Sequence, residues 1–181
     1  MRVIAGTCRS LPLVTPEGEE TRPTTDRIKE TLFNILQNDL GDARFLDLFS
    51  GSGGIGIEAL SRGARSATFV DESSRAIDVV RRNLVSTSLL ELAEVVQKDA
   101  ISFLRQVRSR FDIAFLDPPY KTGILQTALG LVTDVMSERG IIICEHPAEE
   151  ILPENIKNFG LSKSYKYGKI MLTVYRRERL K

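Results

Sequence analysis

Cysteine and histidine are scarce in this chain of 181 residues, which has two cysteines, Cys8 and Cys144, and one histidine, His146. The cysteines form no CxxC pair and each lies in an apolar or strand-like stretch. That argues against a disulfide framework and a zinc-ligand set, so no metal site is expected, and it suits a reducing, cytoplasmic setting. His146 reads as a strand-end residue rather than a catalytic one. Long apolar runs are also missing: none approaches the roughly 18 residues of a membrane span, and MRVIAGTCRS has no apolar signal-peptide core. No membrane partner is expected. Net charge is small, +1 overall, so the molecule as a whole does not advertise a polyanionic partner. Its distribution is uneven. From residue 157 onward, Lys157, Lys163, Lys166, Lys169, Arg176, Arg177, Arg179 and Lys181 face Glu178 alone, eight minus one, or +7 locally. Such a tail is either a solvated basic face or a phosphate-facing surface.

What is present is enough for one core. With 42% hydrophobic residues, a single domain over 1–181 can bury about 70% of its unfolded surface. Residues 1–23 carry two short apolar segments broken by Pro and Gly and read as a hairpin or arm, and 24–181 read as the catalytic core. Thr24 or Thr25 can cap a helix in which Ile28, Leu32, Ile35 and Leu36 share a face, ended by Gly41. Strands over 44–49, 66–71, 93–98, 111–117 and 140–146 then alternate with helices over 54–62, 73–84, AISFLRQV and ILQTALGLVTDVM. Apolar strands without strict alternation are those of a parallel sheet covered on both faces. LSKSYKYGKIMLTVYRR reads as an antiparallel hairpin turning at Tyr167-Gly168-Lys169. The predicted fold is a doubly wound α/β sheet with helices on both faces.

In such sheets ligands sit beyond the carboxyl ends of the strands. Gly51, Gly53 and Gly56 after the first strand satisfy GxGxxG, a pattern that a plain strand-to-helix turn or a dinucleotide site would share. Asp47, inside that strand, is a carboxylate that is costly to bury without a partner. Asp71 and Glu72 end the second strand, where an acid can accept hydrogen bonds from ribose hydroxyls, and Asp99 ends the third, within reach of a purine amine. This series resembles the cofactor site of class I S-adenosyl-L-methionine-dependent methyltransferases. The resemblance implies a Rossmann-like, mostly parallel seven-stranded sheet with an antiparallel carboxyl-terminal hairpin. It also implies S-adenosyl-L-methionine as cofactor, held by Asp47, Ser50, Gly51, Gly53, Asp71, Glu72, Asp99, Ala100 and Thr24.

The fourth strand ends in Asp117-Pro118-Pro119-Tyr120. Two prolines cannot extend a ladder, and they hold the tetrapeptide rigid as it leaves the sheet. An exocyclic amine on a nucleobase is a poor nucleophile because its lone pair is delocalised. Asp117 Oδ and the Pro118 carbonyl can accept its two protons and favour a pyramidal nitrogen, while Tyr120 stacks on the base. A rigid turn after an edge strand would use the same residues. The tetrapeptide is similar to the (Asp/Asn)-Pro-Pro-(Tyr/Phe) signature of methyltransferases acting on amino nitrogens. It does not choose among adenine N6, guanine N2, cytosine N4 and a glutamine amide.

MRVIAGTCRSLPLVTPEGEETRPTTDRIKETLFNIL, above all Arg-Pro-Thr-Thr-Asp-Arg at 22–27, is similar nearly end to end to the opening of the bacterial RsmD family, which methylates guanine N2 in 16S rRNA. With the glycine loop and Asp-Pro-Pro-Tyr in order, the resemblance covers essentially the whole chain. It implies a monomer acting on 16S rRNA within the small ribosomal subunit or its assembly intermediate, with Arg9, Arg22, Thr25 and Lys121 toward RNA. Arg62 and Arg65 would add salt-sensitive attraction. One departure is that Thr7-Cys8-Arg9-Ser10 supplies a single basic residue where the family often has more. The alternatives are a DNA adenine-N6 methyltransferase, which would need a duplex-reading insertion not apparent here, and a catalytically idle rRNA-binding assembly factor. A nicotinamide-dependent oxidoreductase would explain neither Asp47 nor Asp117.

Overall fold

A computed structural model describes residues 1–16 and 26–178. Five strands follow the predicted alternation: β1 (Arg44–Leu48), β2 (Ser66–Asp71), β3 (Ala93–Gln97), β4 (Phe111–Leu116) and β5 (Met136–Pro147). They are joined by α2 (Gly54–Ser61), α3 (Ser74–Ser86), α4 (Ala100–Gln106) and α5 (Ile124–Val132), with α1 (Asp26–Leu36) ahead of them. β6 (Asn155–Ile156), β7 (Phe159–Tyr167) and β8 (Ile170–Arg177) complete one sheet in the order β3-β2-β1-β4-β5-β8-β7-β6. The pairs from β3 to β5 are parallel, and β8, β7 and β6 are antiparallel additions. The seven predicted strands are joined by a two-residue edge strand, β6, too short to leave a periodic signal. β5 begins at Met136, where a helix was predicted, because α5 ends at Val132 and a 3-10 turn follows.

Alternation along the strands sorts the core into two layers, as a sheet covered on both faces requires. Phe45, Phe69, Ile113, Phe115, Ile141 and Ile143 pack with α1, α2 and α3. Leu46, Leu48, Val70, Ala114, Leu116 and Cys144 face α4 and α5 on the other side. In α3, Ile77, Val80 and Leu84 are fully buried, as their spacing predicts, and Ser73 caps the helix by accepting from the Ala76 amide. In α1, Phe33 joins Ile28, Leu32 and Leu36 in the core, while Ile35 is only partly buried.

The amino-terminal stretch is more than an appended hairpin. Residues 1–16 fold back on themselves about an antiparallel bridge, Arg2 to Pro12, with the Val3 and Leu13 amides donating to the Leu11 and Met1 carbonyls and the Ser10 amide to the Val3 carbonyl, and other elements hold the stretch further. The Ile4 and Ala5 amides donate to the Glu58 carboxylate at 2.8 and 2.9 Å, and the Cys8 amide donates to Ser61 Oγ. Asn83 of α3 clasps Val14 by accepting from its N–H and donating to its carbonyl. Covered by the arm outside and the sheet inside, α2 is buried at all eight residues, the state expected of a helix apolar on every side. Glu58 in it is reconciled with burial by three donors, two arm amides and Arg62 Nε at 2.8 Å, and by the charge of Lys29, whose Nζ lies 3.8 Å away and donates to the Arg2 carbonyl. Among the described residues, no helix is long and apolar enough to cross a membrane.

Candidate active site at the carboxyl rim of the sheet

The strand order sets β1 beside β4, with Leu48 in register with Leu116, so the glycine loop and the Asp-Pro-Pro-Tyr corner emerge side by side on one rim. A cavity of about 690 Å³ opens there. Asp47, Ser50, Gly51, Asp71, Glu72, Asp99, Ala100, Asp117, Pro118, Pro119 and Tyr120 all line it, so the residues singled out in the sequence converge from four strand ends. Gly53 lies just behind, as the N-cap of α2. A second cavity of about 190 Å³ adjoins it at the corner, lined by Pro118, Pro119, Tyr120, Lys121, Glu145 and His146 among others.

Each acid has a distinct physical situation. Asp47 is 2% exposed and accepts the Gly56 amide at 2.8 Å. Burial raises its pKa to about 7, partly offset by that hydrogen bond, with Asp71 adding to the rise. Asp71 bridges two segments, accepting from the Gly51 amide through Oδ2 and the Ser73 amide through Oδ1, both at 2.9 Å. Glu72 is exposed at the cavity mouth. Asp99 is exposed and caps α4 through the Ser102 amide, a bond that lowers its pKa. Asp117 keeps partial solvent exposure at the wall yet is crowded by protein. Burial, then the charges of Glu145 and Asp47, raise its pKa well above the carboxylate range.

Two glycines of the loop are required by geometry. Gly51 has φ +52 with open space where a Cβ would project, so its backbone can approach a ligand closely. A Cβ at Gly56 would come within 2.3 Å of the Phe69 ring, which makes this glycine the contact that seats α2 on β2. Ser50 Oγ is buried against the cavity with no hydrogen-bond partner among the described residues.

A family model described as "Conserved hypothetical protein 95" matches residues 1–176. The chain belongs to this family. Family relatives include "Ribosomal RNA small subunit methyltransferase D" of Escherichia coli (strain K12), 37% identical over 180 residues, with 98% of this chain and 90% of that protein aligned. Another is "Putative rRNA methyltransferase YlbH" of Bacillus subtilis (strain 168), 40% identical over 182 residues, covering 98% of this chain and 99% of that one. Among solved structures, "Putative methyltransferase yhhF from Escherichia coli" is 37% identical, superposes with a TM-score of 0.89 and covers 98% of both chains. The likeness to the RsmD family read from the amino-terminal motif and the Asp-Pro-Pro-Tyr corner is thus borne out along nearly the full length.

Some site residues of this family member carry too weak a signal to be singled out in the sequence. Glu145 is 5% exposed at the end of β5 and lines both cavities, and Tyr120 Oη donates to its Oε1 at 3.4 Å. Its one mark is that it breaks the apolar run GIIIC, one position after the residue paired with Leu116. Phe49, with φ +68, and Met1, Pro16 and Lys29 also reach the larger cavity, brought there by the loop, the arm and α1. The basic residues expected to face RNA divide between surface and interior. Arg62 is half-buried against Glu58 and the Phe33 ring, so its charge is absorbed inside the fold, whereas Arg65 is exposed. Arg9 is exposed on the arm and Lys121 beside the smaller cavity. Arg22, Thr24 and Thr25 fall outside the described residues.

Proposed function

We propose that this protein binds S-adenosyl-L-methionine in the larger cavity and methylates the N2 amine of a guanine in 16S rRNA, within the small ribosomal subunit or its assembly intermediate. The observation that carries the reading is the Asp117-Pro118-Pro119-Tyr120 corner at the junction of two cavities, Asp117 in the wall of the larger one, of cofactor size, and Pro118, Pro119 and Tyr120 in the walls of both. The names of family relatives support rRNA as the substrate class.

The larger cavity suits the cofactor chemically. The unsatisfied Ser50 hydroxyl and the open face of Gly51 fit the polar amino-acid end. Asp71 fits the ribose: each of its oxygens accepts one backbone amide and keeps a further lone pair, so the carboxylate is oriented before any ligand arrives. Glu72 flanks it at the mouth, and Asp99 with Ala100 lies where an adenine amine would be met. When bound, the cofactor supplies an electrophilic methyl group on a sulfonium sulfur. Asp117 Oδ and the Pro118 carbonyl accept the two amine protons and point the nitrogen lone pair toward that cavity. Asp117, basic for a carboxylate because of its burial, can hold the proton the amine gives up. Tyr120, 41% exposed, offers a ring for stacking worth about 1–3 kcal/mol. Because a stacked base cannot reach the corner, the target must leave its stack, which costs least in a loop.

The deciding experiment supplies tritium-labelled cofactor together with small ribosomal subunits or duplex DNA. Label on a guanine N2 of 16S rRNA is the expected result. Labelling of DNA alone overturns the reading.

A further inference from the structure

The Asp-Pro-Pro-Tyr corner accepts any exocyclic amine, so the choice of base has to come from whatever meets the atoms beside that amine. β4 and β5 are parallel neighbours with Leu116 paired to Cys144, so the next residues, Asp117 just beyond β4 and Glu145 still within β5 and paired with Leu172 of β8, stand side by side on the same face. Both line the larger cavity, and Glu145 also borders the smaller one. Glu145 is almost wholly buried, and the Tyr120 hydroxyl ties its carboxylate to the edge of the proposed stacking ring. A base lying on Tyr120 with its amine at Asp117 therefore turns the neighbouring ring nitrogen of its Watson–Crick edge toward Glu145.

That neighbouring atom differs among the candidate substrates. In guanine it is N1, which carries a hydrogen and donates. In adenine it is N1 without hydrogen, in cytosine N3 without hydrogen, and in a glutamine amide the carbonyl oxygen, each of which presents a lone pair. An ionised carboxylate only accepts hydrogen bonds. With Glu145 ionised it binds the first and repels the other three, and beside so buried a carboxylate the repulsion is little screened. We infer that Glu145 is the specificity-determining residue of the site, accepting the N1–H of the target guanine while Asp117 and Pro118 accept the protons of its N2 amine. This inference rests on the guanine reading above and deepens it. It explains why an acid follows directly on the apolar run 141–144 of β5, at the one β5 position that lines both cavities.

The probe is a small ribosomal subunit whose 16S rRNA carries 2-aminopurine in place of the target guanine. This base keeps the N2 amine but has a lone pair at N1. The wild-type enzyme is expected to favour the guanine subunit by about 100-fold or more in kcat/KM, the size of discrimination seen when a buried polar group is left mismatched. The Glu145→Gln variant, whose amide can turn an N–H toward N1, is expected to lose activity on guanine and gain it on 2-aminopurine, narrowing the gap to less than about 10-fold. A residue that only supported the fold would lower both activities together. Equal use of the two substrates by the wild type overturns the inference, and that comparison stands even if the Gln variant folds poorly. Undiminished discrimination by a folded Gln variant overturns it as well. If the wild type labels no guanine at all, the guanine reading itself falls, an outcome distinct from guanine labelling that ignores Glu145.

Discussion

Asp117 and Asp71 stand about the same large cavity but are asked to do different things, and substitution separates them. Asp117→Ala removes the proposed acceptor of the amine protons and leaves the residues proposed to hold the cofactor in place. Turnover is expected to fall about 10²- to 10³-fold, with cofactor Kd nearly unchanged in a calorimetric titration. Asp71→Ala frees the Gly51 and Ser73 amides and removes the proposed ribose acceptor, so its main expected effect is weaker cofactor binding. Equal loss of cofactor affinity in both variants would contradict these roles. Asp47 yields a prediction about stability. Its pKa is about 7 in the folded protein against 3.8 ordinarily, so across this interval the folded state holds a proton that the unfolded chain has released. Its contribution is therefore most favourable below pH 4 and is lost as pH rises to about 7, a change on the order of 4 kcal/mol. Asp47→Asn can still accept the Gly56 amide and has no charge to bury. Denaturant melts should show it matching the wild type near pH 4 and exceeding it at pH 8.

The arm and α2 behave as one unit, because the polar atoms of α2 are satisfied by arm backbone and the arm in turn borders the cofactor cavity. Met1 Sδ lies 3.6 Å from Ser52 Oγ, and Thr15 and Pro16 line the same wall. The seam is narrowest at Gly6, φ +85, where a Cβ would fall 1.9 Å from the Ser61 carbonyl oxygen. Gly6→Ala is thus expected to lift the arm. The unfavourable backbone angle alone costs roughly 1–3 kcal/mol, and the clash adds to it. The expected readouts are a lower Tm together with a raised cofactor Kd, although Gly6 itself touches no ligand. A loss of Tm with cofactor affinity intact would show that the arm supports only the fold.

Across the whole molecule, the basic surplus near the carboxyl terminus is divided by the fold. Lys157 is engaged by Asp134 and Arg176 by Asp39, and Arg177 stacks on Phe159. Lys166 and Lys169 remain exposed at the tip of the β7–β8 hairpin. Pairing of Pro147 with Ile170, and the Ala148 amide donating to the Lys169 carbonyl, put that tip on the catalytic rim beside the end of β5. Replacing Lys166 and Lys169 by Ala should therefore raise KM for the small subunit. The salt dependence of binding should become shallower, by about one in slope for each RNA phosphate that is no longer neutralised. An unchanged slope would assign the tip to solvent.

The alternation of strands and helices, the glycine loop, the ordered acids and the Asp-Pro-Pro-Tyr corner could be read from the chain because they depend on local chemistry: side-chain periodicity, φ restrictions, and acids or prolines where a strand should continue. By itself the sequence therefore determined the α/β sheet, the rim on which to look and the Asp-Pro-Pro-Tyr corner that stands on it. It could not show that Glu58 fastens the arm, that Arg62 is absorbed by that contact while Lys166 and Lys169 are not, or that Glu145 stands next to Asp117. Most of those facts join residues far apart along the chain, and only the order and register of the folded strands bring them within the few ångströms over which a hydrogen bond or a buried charge acts.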